Sequence, residues 1–330
     1  MQTTNWLVLA CAVVLAACGS EEKAPTKQTA STSKQSTTNT GKQNAAQDMT
    51  AEQVAKEARG NVKCPAKIAS PAPSIPAAVD VVGVRPGMTY EEAEIFILCT
   101  HDLLVTGPTI RNIQIQTYGH TLRHGLHAGF AQPKVNVQRT ARDYRRELQN
   151  SAIAAGTNQR RAGMQPGTAS WYVGTMGMPG EERVINVARK ERFEDGRQPT
   201  MASVRAALVK KYGEPIQAAD HGTHVYLYWS YDTRGRRIAE ASPLFGRCHA
   251  PSSIESAFSF SPDCGFAVTA AITAVASNRD LADELSVMSL DQAGGYEALD
   301  STERGLAQLD AQRRAKETEA ASRNATAPTL

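Results

Sequence analysis

Pro199-Thr200-Met201-Ala202-Ser203-Val204-Arg205-Ala206-Ala207-Leu208-Val209-Lys210-Lys211-Tyr212-Gly213-Glu214-Pro215 carries both ends of a helix. Met201, Val204, Leu208 and Tyr212 recur at helical spacing and form one apolar stripe. Lys210 and Lys211 complement the negative end of the helix dipole, Gly213 caps it, and Pro215 prevents its continuation. A strand follows directly. Val225, Leu227 and Trp229 point one way, Tyr226 and Tyr228 the other, and Thr233-Arg234-Gly235-Arg236 turns the chain back. A helix that leads into a strand and a tight turn, not into a regular βαβ crossover, predicts helices packed on an antiparallel sheet.

The neighbouring segments repeat this grammar. Upstream, Thr89-Tyr90-Glu91-Glu92 reads as a capping box, and Ala93, Phe96, Ile97, Thr100 and Leu104 follow at helical spacing. Ile95, Leu98 and Cys99 lie off that stripe and are also apolar, so this helix is buried, and Gly107-Pro108 ends it. Val79 to Val84 reads as a short strand before the turn Arg85-Pro86-Gly87. Ile113 and Ile115 alternate with Gln114 and Gln116 as a strand, Pro133 interrupts any long strand there, and Thr140 to Ala155 reads as a helix. Trp171–Thr175 and Val184–Arg189 flank Met178-Pro179-Gly180-Glu181 as a hairpin. Cys264 to Val275 alternates and pairs with Leu285 to Leu290 across Asn278-Arg279-Asp280. Met49 to Arg59 is a short helix with Thr50 and Gln53 in capping-box positions, and a polar, Ala-rich helix begins near Gln292. The fold class is therefore α+β, in two helix-plus-sheet units, 49–195 and 196–330.

Of 330 residues, 41% are hydrophobic and 21% charged, which supports a packed core and excludes wholesale disorder. The net charge of +3 is too small to mark a nucleic-acid binder.

At the amino terminus the apolar run Leu7 to Ala17 ends in Leu15-Ala16-Ala17-Cys18. The run is too short to span a bilayer and reads as the core of a signal peptide. Its ending resembles the lipobox of bacterial lipoproteins. The resemblance implies removal of residues 1–17, acylation of Cys18 and stable anchoring through several chains. Gly19 and Ser20 lack the aspartate that favours inner-membrane retention in such lipoproteins, so the expected location is the outer membrane of a bacterial envelope, facing the periplasm. Residues 18–48 form a tether, for Gly19 to Asp48 contains no large apolar residue; thirty flexible residues span about 30 Å.

Cys64, Cys99, Cys248 and Cys264 remain in the mature chain. An even number in an exported protein predicts disulfides. Four cysteines allow three pairings; Cys64–Cys99 and Cys248–Cys264 are favoured because each lies within one unit.

Gly83-Val84-Arg85-Pro86-Gly87-Met88-Thr89-Tyr90-Glu91-Glu92-Ala93 resembles the Gly-Met-Thr/Ser-x-x-Glu/Gln-Ala/Val signature of the outer-membrane assembly lipoproteins called SmpA/OmlA or BamE, whose fold is like that of the β-lactamase-inhibitor protein. Tyr212-Gly213-Glu214-Pro215 supplies the helix ending of that family, whereas the first helix ends in Gly107-Pro108 instead. The resemblance implies a helix-plus-sheet unit, duplicated and fused, and a part in envelope assembly. It transfers no functional residue.

No Gly-x-Ser-x-Gly, His-Glu-x-x-His, P-loop or dinucleotide fingerprint is present, and no cofactor is expected. His120, His124 and His127 would share a face on a helix and could hold zinc there, but Gly119, Gly125 and Gly129 argue for a loop or strand. They support the alternative of a periplasmic metal-dependent or hydrolytic enzyme. Charge placement is more informative. Residues 111–161 carry net +7, with Arg139, Arg142, Arg145 and Arg146 at helical spacing and only Asp143 and Glu147 opposed. Asp143 and Glu147 can pair with Arg139, Arg142 or Arg146 at helical spacings, which gives a solvated face. Read as a binding face in an exported protein, the arginines meet lipid headgroups, lipopolysaccharide phosphates, acidic polymers or a protein partner's carboxylates, not nucleic acid. The predicted function is a non-catalytic envelope lipoprotein that binds a protein or an anionic envelope component, with a sheet-borne enzyme inhibitor as a further alternative.

Overall fold

The structure, a computed structural model, describes residues 48–73, 75, 78–109, 115–134, 142, 145, 164–253 and 259–326. These belong to one compact unit, Ala46–Leu330. The element order is α1 (Ala51–Arg59), α2 (Tyr90–Leu98), β1 (Leu104–Pro108), β2 (Gly125–Phe130), β3 (Thr168–Met176), β4 (Arg183–Arg192), α3 (Met201–Tyr212), β5 (Gln217–Asp220), β6 (His224–Asp232), β7 (Cys264–Val275), β8 (Asn278–Asp291) and α4 (Gln292–Asn324).

All eight strands join one antiparallel sheet in the order β1-β2-β3-β4-β8-β7-β6-β5. Each half of the sheet is a meander that follows a helix: α2 precedes β1–β4 and α3 precedes β5–β8. The last strands of the two meanders, β4 and β8, pair at the centre, with Val187 opposite Ser289 and Arg189 opposite Val287.

Local chemistry sets the helices. Thr89 accepts from the Glu92 N–H and the Glu92 carboxylate accepts from the Thr89 N–H, closing a capping box at α2. The same carboxylate accepts from the N–H groups of Ala69 (2.8 Å) and Ser70 (2.9 Å) and from the Ser70 hydroxyl. Burial alone would raise the Glu92 carboxyl; these donors outweigh it and hold the group below its ordinary value. One cap thereby also fastens the proline-rich segment. Thr200 caps α3 through the Ser203 N–H at 3.1 Å. The Trp229 indole donates to the Gly213 carbonyl at 2.8 Å, so the end of α3 is tied to β6.

The two helices bury their stripes on one face of the sheet. Ala93 and Ile97 of α2 and Val204, Leu208 and Tyr212 of α3 belong to the same core as Leu126, Trp171, Val187, Trp229 and Val268. Each fully buried Val, Leu or Ile side chain among them contributes roughly 1.5–3 kcal/mol. On the opposite face Ala188, Ala267, Met288 and Leu290 meet Phe260, and Ala298 and Leu299 of α4 cover Met176 and Ile185. Beyond Asp310, α4 runs on exposed.

Four expectations need correction. The helix begun at Thr89 stops at Leu98: Cys99 is tied to Cys64, and Leu104 opens β1 opposite Phe130. Gly107-Pro108 therefore sits in an edge strand, where proline removes no ladder bond. Val79 to Val84 is a turn, not a strand. Val81 and Val84 exchange N–H···O bonds of 2.7 and 3.1 Å around Val82 and Gly83, whose φ values are +46° and +84°. Ile115 and Gln116 are not in a strand; the strand of that region is Gly125–Phe130. Asn278-Arg279-Asp280 opens β8, and the turn is Ala276-Ser277. Residues 110–114 and most of the helix expected over 140–155 lie outside the described residues.

Candidate functional site

The disulfides join Cys64 to Cys99 and Cys248 to Cys264, with Cα–Cα distances of 5.7 and 5.4 Å. The first holds the proline-rich segment against the end of α2, and the second holds the 238–250 loop to the start of β7. Cys18, Arg139 and Arg146 lie outside the described residues, while Arg142 and Arg145 are helical and exposed. His120 lies in a turn, His124 immediately precedes β2, and His127 is within β2 with its ring 4.6 Å from that of Tyr172. Among the described residues no group of three or more His, Cys, Asp or Glu is placed to hold a metal ion.

The topology instead assembles a surface on the sheet face opposite α2 and α3. α4 covers one end of that face. Toward the other end the register lines up Lys190, Ser286, Ala271 and Tyr226 in one row, and Arg192, Glu284, Thr273 and His224 in the next. Lys190 pairs with Glu284 at 3.0 Å and Arg192 with Asp283 at 3.3 Å. Beside this charged strip runs a chain of rings. His221 meets Tyr226 edge-on at 5.6 Å, and His224 stacks on Tyr226 at 6.3 Å. Tyr226 stacks on Tyr228 at 6.5 Å, and Tyr228 on His249 at 4.2 Å. Burial raises the Tyr228 hydroxyl and lowers the His249 imidazole from their ordinary values. The rings of Tyr226 and His224 are half-buried, so their outer surfaces face solvent. Flat rings beside alternating charges suit adhesion to a protein surface, because each ring adds contact area at little conformational cost.

A second polar centre lies at the end of β3 and β4. Arg123 donates to Glu182 at 2.9 Å and to Glu91, and its guanidinium lies 4.7 Å from the centre of the Tyr90 ring. The Glu182 side chain is 2% exposed and also accepts from the Arg123 N–H at 3.1 Å and the Gly180 N–H at 3.0 Å. Burial pushes the Glu182 carboxyl up, but the Arg123 guanidinium and the N–H donors outweigh it and hold the group low. Glu182 is thus buried and held by several donors, while Arg123 and Glu91 reach the surface; the network suits a structural tie between α2, the start of β2 and the β3–β4 turn.

Tyr226 and Tyr228 were visible in the sequence as the second face of an alternating strand. Lys190, Glu284, His221 and His249 were not visible as their neighbours, since only the β4–β8–β7–β6 order and the 238–250 loop bring them together. No family model, curated protein or solved structure matches this chain.

Proposed function

We propose that this chain is an exported, lipid-anchored and non-catalytic binding protein of a bacterial envelope, and that it engages a protein partner through the charged and aromatic sheet face. The observation that carries the reading is that face: an ordered row of rings, His221 to His249, beside Lys190, Arg192 and Glu284, on a sheet whose other face is packed by helices. The two disulfides support export, because such bonds persist in oxidising compartments. The lipobox at Cys18 supports an anchor, and the basic stretch 111–161, apart from Arg123, which Glu182 and Glu91 neutralise, supports attraction to anionic headgroups near the membrane.

Replacement of Cys18 by Ala tests the anchor. The wild-type chain should incorporate labelled palmitate and sediment with membranes, while Cys18→Ala should do neither. Equal labelling of the two would remove the anchor from the account.

A further inference from the structure

On the helix side, away from the proposed partner surface, a cleft of about 430 Å³ opens between α3 and the sheet. That volume falls in the range typical of small-molecule sites, roughly 300–1,000 Å³. Ser203, Ala207 and Lys211, on successive turns of α3, form one wall, Leu285 and Val287 of β8 the floor, and Val82 the far lip. Its lining is otherwise aliphatic and aromatic, with two charged side chains, Arg189 and Lys211, both positive. The Ser203 hydroxyl is engaged in its own helix, donating to the Thr200 carbonyl at 2.8 Å. α3 carries Arg205, Lys210 and Lys211 and no acidic residue.

Both cations keep donors in reserve. Arg189 donates to Glu191 at 2.6 Å and Lys211 to Asp80 at 2.7 Å, whereas a guanidinium has five N–H donors and an ammonium three. The lip adds an independent observation. Val82 is β-branched yet sits at φ +46°, and the residue is 47% exposed. A left-handed backbone disfavours a β-branched residue. Asp80 fixes the lip in this state: its carboxylate accepts from Gly83 N–H at 2.6 Å, and its carbonyl accepts from the Tyr212 hydroxyl at 2.8 Å. Strain held at the mouth of an apolar cleft is a mark of a binding site.

We propose that this cleft binds a single acyl chain carrying an anionic head, with the chain between α3 and β8 under Val82 and the head at Lys211 and Arg189. The ligand class follows from the lining. An apolar body is needed to dry the valines and leucines, and an anionic head can accept from the donors of Arg189 and Lys211 that Glu191 and Asp80 leave over. The inference does not depend on the sheet-face reading.

The test uses the full chain with Cys18→Ala, so that no acyl chain of its own competes, titrated with fluorescent dansylundecanoic acid. Saturable binding displaced by laurate is expected, with dodecanol, the uncharged chain of equal length, at least about tenfold weaker. Lys211→Gln should weaken laurate about tenfold and leave dodecanol unchanged. Val82→Asn, an exposed change to a residue that tolerates the left-handed region, should raise the melting temperature yet weaken the probe about tenfold. Ala207→Phe should fill the cleft and remove binding. Displacement by lauroyl-lysophosphatidylglycerol as well as by laurate identifies a headgroup-bearing lipid, and displacement by laurate alone a free fatty acid. Absence of saturable binding, equal affinity for laurate and dodecanol, or binding unchanged in Val82→Asn overturns the proposal.

Discussion

Replacing Arg123 by Met keeps most of the side-chain stem over Tyr90 and removes the charge that Glu182 faces. Glu182 is 3% exposed, so the variant strands a buried carboxylate. Breaking a buried pair in this way typically costs about 3–5 kcal/mol. The lower end applies here, because Glu182 keeps the residue-123 and Gly180 N–H groups at 3.1 and 3.0 Å and because the Arg123 side chain is itself 36% exposed and screened by solvent. A loss of about 3 kcal/mol at pH 7 is expected. The pH dependence separates charge from packing. Glu182 and Glu91 are held below their ordinary value of 4.5 in the folded protein. Their contribution is therefore present above about pH 4.5 and lost as pH falls through the folded values. In the variant burial is no longer outweighed by the guanidinium, Glu182 protonates more readily, and the deficit should shrink toward pH 4. Urea unfolding followed by the fluorescence of buried Trp171 and Trp229 measures both conditions. Arg123→Met/Glu182→Gln should recover much of the loss. A deficit below about 1 kcal/mol at pH 7, or one equal at pH 7 and pH 4, would refute the reasoning.

Two further outcomes follow from the backbone and the disulfides. The loops closed by Cys248–Cys264 and Cys64–Cys99, with sequence separations of 16 and 35, should contribute about 3 and about 4 kcal/mol on the chain-entropy estimate. Paired Ser variants measured by urea unfolding check this, and mapping of the oxidised chain without reduction should find both bridges and no free thiol among these four cysteines. Gly125→Ala should destabilise strongly or prevent folding, because a Cβ at φ +159° would collide with the Val173 carbonyl oxygen across the β2–β3 ladder. A melting temperature within a degree or two of wild type would contradict that register.

The sequence made some elements plain and disguised others, for physical reasons. α3 was legible because stripe, cap, dipole and stop all agree over Met201–Tyr212. The β3–β4 hairpin and the β7–β8 alternation were legible for the same reason, and the disulfide pairing followed from which cysteines share a unit. β1 was hidden because Thr100 and Leu104 continue the spacing of Ile97 by chance. The Cys64–Cys99 bridge and pairing with β2 end the helix earlier than periodicity suggests. The Val79–Val84 run has strand composition, yet the Asp80 carboxylate takes the Gly83 N–H and turns the chain. The sheet-face surface was half visible, as Tyr226 and Tyr228. Its other members come from β4, β8 and two loops, and no local pattern joins them. The cleft draws its walls from segments near 82, 189, 207 and 287, so only the folded sheet creates it.

Site-specific photo-crosslinking in the native envelope tests the central claim most directly. A benzoylphenylalanine at Tyr226 reports on the aromatic sheet face, and one at Arg205, exposed on α3, reports on the opposite side of the molecule. The account expects one discrete protein adduct from position 226, lost on adding Lys190→Glu, and none of that mass from position 205. No adduct from 226, or the same adduct from both positions, would contradict a partner surface on the sheet.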